Sequence, residues 1–139
     1  MGYSYDGVDL RKHPEKYRIG RGEQGVFHAE PYRSELLPLW KFKDEVAARE
    51  SSEAIYQKFC EYRADGDFVG MDVARKYLQM GWTRSLRYAK YRAGKKSQPL
   101  ERLDQTKLQS ASVFKELYDR ARSDKKYTEM KEEHRRRNE

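Results

Sequence analysis

A chain of 139 residues has room for one domain and one modest core. With 37% apolar and 38% charged residues, that core sits under a heavily solvated surface. A net charge of +7 points to an anionic partner, DNA or RNA first, and the single cysteine, Cys60, excludes an internal disulfide and a CxxC metal site.

The first ten residues, MGYSYDGVDL, hold no apolar signal core, and no run approaches the roughly 18 residues of a membrane span. A soluble, cytoplasmic protein in a reducing compartment is the expectation, with no membrane contact.

Residues 1–43 carry three prolines and five glycines and lack helical periodicity. Two β-prone runs, 17–19 and 26–29, flank a glycine-rich turn and predict a hairpin. The Glu35 to Trp40 stretch predicts a helical turn stopped by Pro38, with Leu36, Leu37, Leu39 and Trp40 in the core. Ala48, Ser52, Ile55, Phe59 and Tyr62 repeat at four and three, so a helix is expected over about 44–62, with Gly66 as its left-handed stop. A second helix is expected from about Phe68 or Asp72 to Gln79, with Met71, Ala74 and Leu78 inward and Arg75, Lys76 and Gln79 outward. Met80 to Thr83 reads as a turn with Thr83 as N-cap, and a third helix follows over about 84–93. Residues 94–110 read as a polar linker. The last helix is expected from near Ser110, with Val113, Phe114, Leu117, Tyr118 and Ala121 inward; Ser123–Asp124 restarts it, and the charged tail is mobile. The fold class is therefore mainly α (α+β): three to four helices packed on a small N-terminal hairpin and loop region, in one domain over 1–139.

Residues 73–99 hold eight basic and no acidic residues. Removing those eight leaves 22 basic against 23 acidic residues, so this window carries the whole charge excess. Charge runs are usually solvated surface, but such a surface normally mixes signs. Arg84, Arg87, Tyr88, Tyr91 and Lys95 recur at helical spacing, which puts cations and rings on one face. Arg84, Arg87, Lys90, Lys95 and Lys96 are candidates for phosphate contact, Trp82, Tyr88 and Tyr91 for stacking, and Arg75 and Lys76 extend the strip. The short Gly81-containing turn also admits a helix-turn-helix, although Tyr77 is bulky for that motif.

Four stretches, RKHPEKYRIGRGEQGV (11–26), EPYRSELLPLWKFK (30–43), DFVGMDVARKYLQMGWTRSLRYA (67–89) and FKELYD (114–119), resemble blocks of domain of unknown function 4385. That small family occurs in bacteria, bacteriophages and fungi. The resemblance implies a single compact domain; it implies no established activity and supplies no catalytic residues.

Other motifs are weaker. Gly20-Arg-Gly-Glu-Gln-Gly25 matches G-x-G-x-x-G, but Pro31 leaves no room for the helix a dinucleotide site needs. It reads as a structural turn or, with Arg18, Gly20, Arg21, Gly22 and Gly25, as a phosphate-facing loop of a small enzyme or nucleotide-binding protein. His28-Ala-Glu30 lacks the cysteines of a zinc deaminase. His13, Glu15, His28 and Glu30 are an acid–base candidate against a bland reading as hairpin and turn residues. No catalytic residue, metal site or cofactor is assigned. The leading reading is a non-enzymatic nucleic-acid-binding protein; docking of the strip on an acidic protein surface is a further alternative.

Overall fold

The computed structural model describes residues 5–20 and 24–139, with five α-helices and no strand among them. Four of the helices begin on an aspartate whose carboxylate accepts an otherwise unpaired backbone N–H. Asp44 accepts from Ala47 at the start of α2 (Glu45–Ala64), and Asp67 from Gly70 at the start of α3 (Phe68–Lys90). Asp104 caps α4 (Gln105–Arg122), and Asp124 caps α5 (Lys125–Asn138). The short α1 (Tyr32–Leu36) runs into a 3-10 turn at Leu37–Leu39, with Pro38 near its start.

The α2 stripe is buried as its spacing predicts, and Gly66, at φ 69°, supplies the left-handed residue after the helix. The centre of the molecule is α3, flanked by α2 and α4 and covered by α1, α5 and the N-terminal segment. Every residue from Phe68 to Leu78 is buried. Three expectations are thereby corrected. The helix does not break at 80–83, so Thr83 is not a cap and this stretch is not a helix-turn-helix. Arg75 and Lys76 do not face out. The third helix is the last part of α3 and stops at Lys90 rather than 93.

Gly81 makes a close approach rather than a turn. A Cβ there would clash with the ring of Phe114 from α4, 2.3 Å from its nearest atom, so α3 and α4 touch through the missing side chain. Gly81→Ala is expected to cost about 1–2 kcal/mol net, because overpacking a fully buried ring exceeds the ~1 kcal/mol gained in helix propensity. A denaturant midpoint equal to or above the parent's would contradict this.

The predicted hairpin is also absent among the described residues; its turn at 21–23 lies outside them. Gln24–Phe27 forms a 3-10 turn, and the donors that a ladder at 17–19 would use are taken elsewhere. Arg18 N–H bonds the Tyr5 hydroxyl at 2.6 Å, and Ile19 N–H bonds a Glu139 carboxylate oxygen at 3.2 Å. Tyr17, Val26 and Ala29 are all buried, so both runs dock on the helices instead of pairing. Nor is the end of the chain a free tail: α5 continues to Asn138, and His134 is buried with Nε2 2.7 Å from the Tyr17 carbonyl oxygen. Cys60, on α2, is exposed. No helix among the described residues is long and apolar enough to cross a membrane.

Candidate nucleic-acid interface

The last turns of α3 carry Arg84, Arg87 and Tyr88 toward one side. Beyond Lys90 the chain folds back. Arg92 N–H bonds Gln98 O at 2.8 Å, Leu100 N–H bonds Lys90 O at 2.9 Å, and Tyr91 bridges Pro99. This return has ordered turns where a plain linker was expected. Ala93 and Gly94 adopt positive φ at its tip, which brings Lys95 and Lys96 back beside the helix. Tyr91 and Lys95 therefore reach the site from the loop and not from a helical face.

The result is a groove of about 760 Å³ lined by Trp82, Arg84, Arg87, Tyr88, Lys90, Tyr91, Lys95 and Lys96. Eight of the ten strip residues thus share one concavity. Arg87, Lys90, Lys95 and Lys96 have no carboxylate within ion-pair distance among the described residues. Arg87 donates from Nε to the Gly94 carbonyl, which pins the returning loop. The guanidinium of Arg84 lies over the rings of Trp40 (5.1 Å) and Phe27 (5.5 Å). Trp82 stacks on Tyr118 at 5.7 Å with Lys115 Nζ over its ring, so its faces are partly taken. Tyr88, 39% exposed, is the most open ring in the groove.

Arg75 and Lys76 belong to a different cleft. Arg75 is 9% exposed and holds Asp72 through Nε and Nη2, each at 3.0 Å, while its Nη1 bonds Gln79. Asp72 is fully buried and also accepts from the hydroxyls of Tyr17 and Tyr127, both at 2.5 Å. Burial pushes the Asp72 carboxyl up, but Arg75 and the two hydroxyls outweigh it and hold the group below the usual range. Lys76 is lowered by burial, which together with repulsion from Arg75 and Lys131 outweighs the attraction of Asp72.

Of the glycine-loop candidates, Gly20 lies beside Lys76, whose Nζ is 3.7 Å from where a Cβ on Gly20 would sit. Arg18 is exposed and donates to the Asn138 carbonyl, and Gly25 sits near the Tyr5 ring. Arg21 and Gly22 lie outside the described residues. The acid–base foursome is not assembled. His13 pairs with Glu15 at 3.5 Å, His28 with Asp6 at 3.3 Å, and Glu30 accepts from Ser34. Only His28 and Glu30 of the four line a common cavity. No metal-ligating cluster occurs among the described residues.

Sequence reasoning missed Asp72, Lys131 and Arg135. The i, i+3 spacing of Asp72 and Arg75 was the available signal for the first. The other two were hidden in a tail of mixed charge.

No curated protein and no solved structure matches the chain significantly. The profile of one family covers residues 2–137, nearly the whole chain, and the protein therefore belongs to the family described as domain of unknown function (DUF4385).

Proposed function

We propose that the protein binds nucleic acid through the groove at the end of α3, without catalysing a reaction on it. The observation that carries this reading is the gathering of Arg87, Lys90, Lys95 and Lys96, without acidic partners among the described residues, around the open ring of Tyr88. Unpaired cations at the surface neutralise phosphates and release counterions, and an exposed ring accepts a base or a sugar. Arg84 and Trp82 form the wall and are already engaged by protein rings, so their role is to shape the groove. Arg75 and Lys76 are withdrawn from the contact set.

Lys95→Glu with Lys96→Glu is the direct test, because both side chains are exposed and neither holds the fold together. Affinity for a duplex or single-stranded oligonucleotide is expected to fall about 10- to 100-fold at low salt. Stability should change by no more than about 0.5 kcal/mol. Unchanged affinity, or retention of an acidic protein partner after nuclease treatment with no nucleic acid bound, would overturn the reading.

A further inference from the structure

Between α3, α5 and the Ile19–Gly20 segment lies a second cleft, of about 600 Å³. Its basic groups are Arg75 and Lys76 from α3 and Lys131 and Arg135 from α5. Residues 55 or more positions apart in sequence are thus brought together only by folding. Lys76 is the informative one. It is 7% exposed, and among the described residues no hydrogen bond or ion pair reaches its ammonium group. A buried lysine left without a counter-charge is costly, and a protein normally pairs or replaces it. Lys131 and Arg135 likewise have no carboxylate within ion-pair distance among the described residues.

The acids nearby supply only part of the missing charge: Asp72 attracts Lys76 and Lys131 without a hydrogen bond to either. Asp72 is saturated by Arg75, Tyr17 and Tyr127. Glu139, at the rim, is turned to the Ile19 N–H and lies 3.8 Å from His134 Nε2. The uncompensated charge is therefore about two to three positive units around one open cleft. The less polar part of the lining is Ile19, Met80 and Tyr118.

We propose that this cleft binds a phosphomonoester group, with Lys76 and Arg75 at its base, Lys131 and Arg135 closing over it, and a compact organic portion against Met80 and Tyr118. A dianion with several acceptor oxygens matches the number of unpaired donors better than a single carboxylate does. The volume suits a small phosphorylated molecule or the terminal nucleotide of a strand. Burial lowers both lysines, and against the pull of Asp72 repulsion from neighbouring cations adds to it, from Arg75 and Lys131 on Lys76 and from Arg75 and Arg135 on Lys131; a bound dianion offsets that repulsion. The site is separate from the groove at Lys95 and Lys96 and does not depend on it.

The test is titration of the full chain with inorganic phosphate and pyrophosphate near neutral pH, read by calorimetry and by melting temperature, against Lys76→Met. That substitution keeps the buried stem and removes the charge, so folding is retained. Lys131→Gln provides a second variant at the exposed end. Pyrophosphate is expected to raise the melting temperature of the parent. Affinity should fall by about tenfold or more in Lys76→Met, and the groove variant Lys95→Glu/Lys96→Glu should bind as the parent does. Oligonucleotides with hydroxyl ends should bind equally to parent and Lys76→Met if they occupy only the groove. A 5′-phosphorylated oligonucleotide that gains affinity through Lys76 identifies a strand end as the source. Pyrophosphate binding without that gain identifies a small metabolite. Equal phosphate and pyrophosphate affinity in parent and both variants, or no binding at millimolar anion, overturns the proposal.

Discussion

Asp72→Ala is expected to remove about 3–5 kcal/mol of folding stability. The carboxylate stands at the meeting point of three parts of the chain. It accepts from Tyr17 of the N-terminal segment, Arg75 of its own helix and Tyr127 of α5. Substitution by alanine leaves a buried guanidinium without its counter-charge and two buried hydroxyls without their acceptor, and each of these orphaned groups carries a desolvation cost. Since domains of this size are stable by only about 5–15 kcal/mol, the variant should be marginal or unfolded. Asp72→Asn keeps the volume and one acceptor and should lose less. The check is chemical denaturation of both variants. A loss below about 1 kcal/mol for the alanine variant would mean that the cluster does not hold the two ends of the chain on α3.

The same cluster sets the expected behaviour in alkali. Burial pushes the Tyr17 and Tyr127 hydroxyls well above the ordinary tyrosine range, and the negative charge of Asp72 adds to the effect. Both therefore stay protonated in the folded protein when they ionise in the unfolded chain, above about pH 10. The folded state then binds more protons, so their stabilisation is complete below about pH 10 and is lost as the pH rises further. Each contributes a slope of up to about 1.4 kcal/mol per pH unit, or about 2.7 for the pair. Tyr32 and Tyr62, bonded to Asp67 and Glu35 nearer the surface, are raised by burial and add in the same direction, as does Tyr77, pushed up to about 12 by burial. Lys76 and Lys131 act oppositely, since their lowered values make stability rise with pH up to about 10.4, where unfolded lysine also loses its proton. Past that point only the tyrosine effect remains. Denaturant midpoints should fall steeply from about pH 10.5 upward. A flat profile would contradict the buried, protonated state of these rings.

Most of α2, α4 and α5 was legible because their cues are local, whereas α3 was read as two helices. Each has an aspartate at its start or an apolar stripe at helical spacing, and Ala48 to Tyr62 and Val113 to Ala121 pack as that spacing requires. The error at Gly81 has a definite cause. A glycine that ends a helix and a glycine that admits a neighbouring ring look alike in a sequence, and only Phe114 distinguishes them. The β-prone runs around Tyr17 and Val26 failed for a related reason. Their apolar side chains serve α3, and their backbone donors go to Tyr5 and Glu139, both remote in sequence. Within the site, the groove residues near the end of α3 were accessible from charge alone. Arg75 and Lys76 were not, because their burial depends on α5 and on residues near 19, which no spacing within the window reveals.

The most direct measurement is the salt dependence of binding to duplex DNA by the parent and by Lys95→Glu/Lys96→Glu. Groove binding through Arg87, Lys90, Lys95 and Lys96, with Arg84 behind them, predicts a log–log slope of about −3.5 to −4.5 for the parent, shallower by about 2 in the variant. A slope near zero, or equal slopes in the two proteins, would contradict it.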